Sequence, residues 1–290
     1  MAKLRYVSSQ GVEFDMHDFE YTKLQKADFH KVSWGTETVK KQYGTTINRF
    51  TKNPQTFDCT FKFKGAYSKR KKQIDDFIFQ TESDIARMMP GRIYWDEQYI
   101  DVYFLSHDTY PEDNGMVYTE MKGQFYAPFP FWIEEQLIVV KPSESSGSEF
   151  PEDVKGYPTY RGLHYAYTYS YPYARNIIPF TADSALSSDF KAEIFGPAVT
   201  DVEFIINDHL YKVDYPLDSN QVMIIDTRDY IPIKDKCYVL NANGTRTNVF
   251  DYRDPTSLLF YKIASGKAWL RYERSHGMNL IIFQERSAPI

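Results

Sequence analysis

Catalysis needs nucleophiles, acids, bases or metal ligands that converge, and this chain carries few of them in a pattern. Its six histidines, His17, His30, His107, His164, His209 and His276, are scattered, and none stands at ligand spacing from another. Cys59 and Cys237 lie far apart and without histidine neighbours, which excludes a zinc knot and argues against a disulfide scaffold; reduced thiols fit assembly in a reducing compartment. No GxSxG, GxGxxG, Walker or HExxH motif occurs. The acidic pairs Asp226/Asp229 and Asp251/Asp254 could flank a glycosidic bond or hold calcium. Aspartate is also an ordinary turn residue, because its side chain bonds the backbone two residues on, and that reading is preferred here. The expectation is therefore a non-enzyme with no catalytic, cofactor or metal residues.

Binding features are more distinct. Between Tyr157 and Tyr173 stand Tyr157, Tyr160, Tyr165, Tyr167, Tyr169, Tyr171 and Tyr173, and the last five fall on every second residue. In an extended chain those five rings share one face. Two readings stay open: a strand laid on its own domain by a ring ladder, or a projecting segment whose phenols dock on another subunit at low entropy cost. Pro172 argues against a central strand. These tyrosines are the partner-contact candidates. Lys69-Arg70-Lys71-Lys72 is the one basic run, read as a solvated helix start rather than a nucleic-acid site. Trp269 is the only tryptophan after residue 132; it could serve as a sugar platform, but the core reading is preferred for a lone Trp at strand spacing.

The totals agree with a binding role. The 290 residues carry 24 Tyr and 21 Phe, a ring content suited to half-buried pleated surfaces and to protein contacts. Net charge is −5 with both signs mixed, so no nucleic-acid partner is expected. The start, MAKLRYVSSQ, is not a signal peptide, and no run of 18 apolar residues suggests membrane insertion.

The elements that carry these residues read mainly as strands. Val12–Met16 alternates, Gln42–Phe50 and Thr56–Phe63 read as two further strands, the second with Phe57, Cys59, Phe61 and Phe63 on one face, while Asp18–Asp28 is polar and weakly patterned. One helix is expected over Ser68–Met89, capped by Ser68, with Ile74, Phe77, Ile78, Ile85 and Met88 inward, a break near Thr81-Glu82-Ser83, and a stop at Pro90-Gly91. Strand character returns over Arg92–Leu105, Met116–Ala127 and Glu134–Val140, with tight turns at Asn114-Gly115 and an irregular segment at Pro128–Trp132. Ser, Glu, Pro and Gly make Lys141–Val154 a linker. Beyond it come Asp201–Ile206, His209–Tyr215, Val222–Ile225, Cys237–Leu240, Thr245–Phe250, Leu258–Phe260, Ala268–Tyr272 and Leu280–Phe283, with a type I′ turn expected at Asn243-Gly244. The fold class is mainly β: an α+β first domain over 1–140 (a β-sandwich or split barrel with one helix), an arm-like extension over 141–175, and an antiparallel β-sandwich over 176–290.

The pieces GPAVTDVEFIINDHLYKVDYPL, MIIDTRD, YVLNANGTRTNVFDYRDPTS, LLFYKIASGKAWLRY and NLIIFQERSAP resemble the C-terminal, galectin-like domain of the distal tail protein family of long-tailed (siphovirus) phages. EMKGQFYAPFPFWIEE resembles the close of that family's first domain. The resemblance implies a hexameric ring at the virion tail tip, assembled in the host cytoplasm, in which the first domain builds the ring and the galectin-like domain faces outward. It implies contacts with the tail tube protein, the tail-associated lysin-like protein and receptor-binding or other baseplate proteins, with no catalytic residues to carry over. Lys141–Arg175 extends beyond compact members, as an inserted arm holding a peripheral protein would. The competing expectations are a carbohydrate-binding module that contacts host-surface glycans, and an enzyme assembled only by folding.

Overall fold

The computed structural model describes residues 3–17, 22–109, 117–142, 177–198, 201–272 and 276–289. It is mainly β, with one α-helix among the described residues. Two compact units arise, Met1–Glu135 with Glu285–Ile290, and Gln136–Gln284. The Asn114-Gly115 turn and nearly all of the 141–175 extension lie outside the described residues.

The first unit is a split barrel. Its strands are β1 (Leu4–Val7), β2 (Glu13–Asp15), β3 (Thr22–Ala27), β4 (Gly35–Lys40), β5 (Thr45–Thr51), β6 (Gln55–Lys64), β7 (Gly91–Trp95), β8 (Gln98–Thr109) and β9 (Tyr118–Ala127), with helix α1 (Tyr67–Ala86) between β6 and β7. The pairing runs β3-β6-β9-β8-β7-β1-β2, all antiparallel. β8 is shared: Gln98–Val102 pairs with β7, Tyr99 also pairs with Ile133, and Tyr103–Thr109 pairs with β9, the register slipping at Leu105. Leu24 N donates to Met16 O at 2.8 Å, which brings β3 back toward the end of β2 and nearly closes the barrel.

Alternation in β6 puts Phe57, Cys59, Phe61 and Phe63 in the core, 1–3% exposed. They meet Tyr6, Phe77, Phe104 and Phe125 in an aromatic cluster with several edge-to-face contacts, such as Phe77 to Phe104 at 5.2 Å. Gly123 on β9 lies under the Phe104 ring, where a Cβ would come within 2.2 Å of Cζ. Only glycine fits that crossing.

Several expectations change here. Asp18–Asp28 contains a strand, β3, because its polar outward residues hide a single inward Leu24. β1 and β4 have no counterpart in the sequence reading, each being too short or too exposed to show a period. Helix α1 starts at Tyr67 with Ala66 at the cap and no side-chain cap bond, so Ser68 lies inside the first turn. It runs unbroken through Thr81, whose hydroxyl donates back to Ile78 O at 2.9 Å. Ile74 and Phe77 face inward as expected, but Ile85 and Met88 are 40% and 84% exposed. Asp84 takes the inward place instead, fully buried and bonded by the Tyr6 hydroxyl and by the amide and hydroxyl of Ser9. Burial and the neighbouring Asp84 raise the Tyr6 hydroxyl far above its ordinary value, so it stays a donor.

The second unit is a two-sheet sandwich. Strand β10 (Trp132–Val140) begins in the first unit and ends in the second. It is followed by β11 (Ile177–Ala182), β12 (Asp189–Phe195), β13 (Val202–Ile206), β14 (His209–Val213), β15 (Val222–Asp226), β16 (Cys237–Leu240), β17 (Arg246–Asn248), β18 (Gly266–Tyr272) and β19 (Met278–Arg286). One sheet runs β17-β16-β15-β12-β19-β10 and the other β11-β18-β13-β14. Phe190, Ile194, Phe204, Tyr211, Met223, Val239, Leu270 and Ile282, all at most 2% exposed, fill the space between them. At roughly 1.5–3 kcal/mol per large buried side chain, this core offsets the entropy of ordering such short strands.

Leu258–Phe260 is not a strand but a turn region, in which Leu259 is buried, Phe260 packs half-buried against the core and Leu258 is exposed. The type I′ expectation also moves. Asn207 and Asp208, with φ of 48° and 65°, join β13 to β14, whereas at 243–244 only Gly244 has positive φ, within a longer loop closed by Asn241 N to Thr245 O at 2.9 Å. Both sequences carry turn chemistry; loop length, set by the register of the flanking strands, decides the type.

Candidate interaction surface

The structure first disperses the residues that could have formed a reaction centre. Each described histidine is engaged locally. His17 Nδ1 lies 3.1 Å from Met16 O, and His30 and His276 stand edge-on to Trp95 and Tyr272 at 5.1 Å each. His107 stacks near Phe104 at 6.1 Å, and His209 Nε2 sits 2.9 Å from Leu258 O with its ring on Tyr261. Desolvation lowers the His276 pKa. His164 lies outside the described residues.

Three of the four paired carboxylates are taken up by local partners. Asp226 is buried and clamped by the Arg228 guanidinium, with Nη2 to Oδ2 at 2.6 Å. Asp229 is exposed and pairs with Lys262 at 2.8 Å. Lys262 also reaches the buried Asp189 at 3.0 Å; burial lowers its pKa, but the two ion pairs outweigh that and hold it above the ordinary value. Asp254 accepts from the amide and hydroxyl of Thr256 at 2.7 and 2.6 Å, and those bonds lower its pKa. It is a turn residue, as the sequence suggested. Among the described residues no group of three or more His, Cys, Asp or Glu could hold a metal ion. Burial pushes both thiols, Cys59 and Cys237, up to about 12, which leaves them unreactive near neutral pH.

What remains is surface. Tyr157, Tyr160, Tyr165, Tyr167, Tyr169, Tyr171 and Tyr173 lie outside the described residues. The basic run divides: Arg70 is 3% exposed and donates to Gly65 O at 3.1 Å, while Lys71 and Lys72 are solvated. Trp269 does not join the core. On β18 the inward residues are Ala268, Leu270 and Tyr272, so Trp269 falls on the outward face of the four-stranded sheet, half-buried beside Pro179 across the ladder and between Lys267 and Arg271.

The strand expected over Gln42–Phe50 is β5, but its partner β4 and the exposure of the β4–β5 hairpin have no counterpart in the sequence reading. The hairpin is a two-stranded sheet of its own, and nearly every residue from Thr36 to Phe50 is exposed on both faces. Pairing runs Thr36 to Phe50, Glu37 to Arg49, then Thr38 to Ile47, Val39 to Thr46 and Lys40 to Thr45. The slip leaves Asn48 unpaired, and this bulge puts Ile47 on the same face as Phe50 although their spacing is odd. Ile47 and Phe50 are 49% and 62% exposed, and Tyr43 at the tip is 89% exposed.

The root of the hairpin is anchored: the Lys52 ammonium sits 4.9 Å from the centre of the Trp34 ring and 5.5 Å from that of Phe131, and desolvation lowers its pKa. The Glu37–Arg49 pair at 2.7 Å is solvent-exposed and adds little to the ribbon. A two-stranded ribbon with no layer beneath it is marginal in water and presents two unpaired edges. The signal in the sequence was available: Ile47, Phe50, Tyr43 and Val39 sit in a threonine- and lysine-rich stretch with no apolar partner run.

No family model matches the sequence, and no curated protein matches it. Solved structures do. The SPP1 Dit (gp 19.1) protein, described as a paradigm of the hub adsorption apparatus in phages that infect Gram-positive bacteria, aligns with a TM-score of 0.57 at 11% identity, over 98% of this chain and 99% of that one. A chain of the phage P2 baseplate in its activated conformation with Ca aligns with a TM-score of 0.61 at 10% identity over the whole of both chains. A chain of the same baseplate with Sr gives 0.60 at 11%, again over both whole chains. Over its whole length the protein has the fold of these phage hub and baseplate proteins.

Proposed function

We propose that this chain is a structural hub of a phage tail tip: copies of the first unit, six by the family resemblance, associate into a ring that joins the tail tube to the tail-associated lysin-like protein. The second, galectin-like unit and the 141–175 arm then face receptor-binding proteins for host adsorption. One observation carries the reading: the β4–β5 hairpin exposes Ile47 and Phe50 on a ribbon that, among the described residues, has no layer of its own chain beneath it. Such a ribbon gains its missing layer from a neighbour. The full-length likeness to hub and baseplate proteins supports the same reading. The dispersed histidines and carboxylates give no support to a catalytic alternative. Mass measurement of the purified full chain, with negative-stain imaging, tests it; a closed annulus of copies is expected, and a strictly monomeric protein at tens of micromolar would overturn it.

A second reading concerns the outward face of the four-stranded sheet, where Trp269 is half-exposed between two cations. That placement favours stacking on a sugar ring more than the core position expected from sequence did. Binding of the full chain to a glycan array, lost in Trp269→Ala, is the expected signature; an array without signal removes this reading and leaves the hub untouched.

A further inference from the structure

Where the barrel of the first unit stops short of closing, between β2 and the start of β3, it leaves a cavity of about 210 Å3. That is smaller than the roughly 300–1,000 Å3 of small-molecule sites, and it suits one long side chain. Its floor is apolar, formed by Phe14, Phe61, Phe63 and Phe77. Its rim is acidic, formed by Glu13, Asp15 and Asp76.

The rim carboxylates are not equivalent. Glu13 already faces Arg5 at 3.4 Å and Lys3 at 3.8 Å, and Asp15 accepts from the His17 amide at 2.7 Å. Asp76, exposed on α1, makes no ion pair among the described residues. One turn away, Gln73 lines the same cavity with a buried Oε1 that has no hydrogen-bond partner. A buried acceptor without a donor is costly, and beside a carboxylate it calls for a cation. Apolar below and anionic above is the inverse of a lysine side chain, whose methylene stem buries while its ammonium reaches polar groups at the mouth.

The chain supplies such a side chain at the tip of the β4–β5 hairpin, where Lys40 and Lys41 are exposed just before the turn closed by Lys41 N to Gly44 O at 3.0 Å. We infer that the cleft between β2 and β3 is a socket for Lys40 or Lys41 from the hairpin of a second copy. The stem lies on the phenylalanine floor and the ammonium bonds Asp76 and Gln73 Oε1. Knob and socket are different surfaces of one chain, so the contact is heterologous, which is the type that generates rings when the rotation closes. The inference rests on the ring reading above and gives it a specific joint.

The test uses the full chain and measures assembly by mass against concentration. Asp76→Lys and the double variant Lys40→Asp/Lys41→Asp each weaken ring formation on the order of tenfold or more through like-charge contact, and their combination restores it. All three sites are exposed, so an unchanged melting temperature of the unassembled chain shows that each variant folds. In addition, Asp76→Cys with Lys41→Cys, oxidised, gives a ladder of covalent oligomers up to the ring; Cys59 and Cys237, buried, do not compete. A wild-type ring indifferent to both charge reversals, or disrupted by them with neither rescue nor cross-linking, overturns the socket and leaves the ring standing. A monomeric wild type overturns both.

Discussion

The β4–β5 and β13–β14 hairpins follow the same local rule and meet opposite environments. Both are antiparallel pairs of short strands rich in β-branched or aromatic residues. In β13–β14 the inward residues Val202, Phe204, Ile206, Tyr211 and Val213 are at most 2% exposed, and Phe204 stacks on Tyr211 at 4.8 Å. In β4–β5, Ile47 and Phe50 lie largely in solvent. Propensity can make a ribbon anywhere. Whether the ribbon contributes to folding or to assembly depends on whether its own chain provides a second layer.

Substitutions on either hairpin test that contrast. The largest effect is expected for Phe204→Ala, which empties a position packed against Phe190 and Tyr211 and should cost about 3–5 kcal/mol in denaturant unfolding. Asn207→Ala comes next. It places a β-carbon residue lacking local hydrogen-bonding in the left-handed region and removes the Asn207 Oδ1 acceptor of the Trp269 amide (3.0 Å), for a loss of about 1–2 kcal/mol by the same assay.

A pH effect belongs to the packed side as well. His276 packs against Tyr272, the ladder partner of Phe204, and its pKa in the folded state is lowered by burial. The unfolded chain, with an ordinary value near 6.5, binds the proton first, so stability should fall as pH drops below about 6.5 and stay level above it. A series of unfolding midpoints across that range measures the fall, and His276→Gln should flatten it. The smallest effect on folding is expected for Ile47→Ser/Phe50→Ser, within about 0.5 kcal/mol, since neither side chain is packed. The same variant should abolish ring assembly. If it instead unfolds the unit while the mass of the wild type shows no oligomer, the distinction between the two hairpins is lost.

Much of the architecture could be read from period alone. Phe57, Cys59, Phe61 and Phe63 announced a half-buried strand because alternation is unambiguous over ten residues. The β13, β14, β15 and β16 runs were located within a residue or two for the same reason. β1 has four residues and β4 has no buried face, so neither shows a period; β11 and β12 also escaped, although β12 alternates. Within the helix, Asp84 could not be assigned inward, because its partners Tyr6 and Ser9 are more than seventy residues away. Trp269 was read as core since size favours burial, yet strand parity put Ala268 and Leu270 inside instead.

The mainly β character, helix α1 and the lack of any catalytic motif were legible in the sequence, because they follow from spacing along one segment at a time. The tertiary structure alone decided which apolar residues are left without a layer, Ile47 and Phe50 above all, and where the barrel of the first unit stays open beside Gln73 and Asp76. Burial is a property of pairs of segments far apart in the chain, and no local pattern contains it.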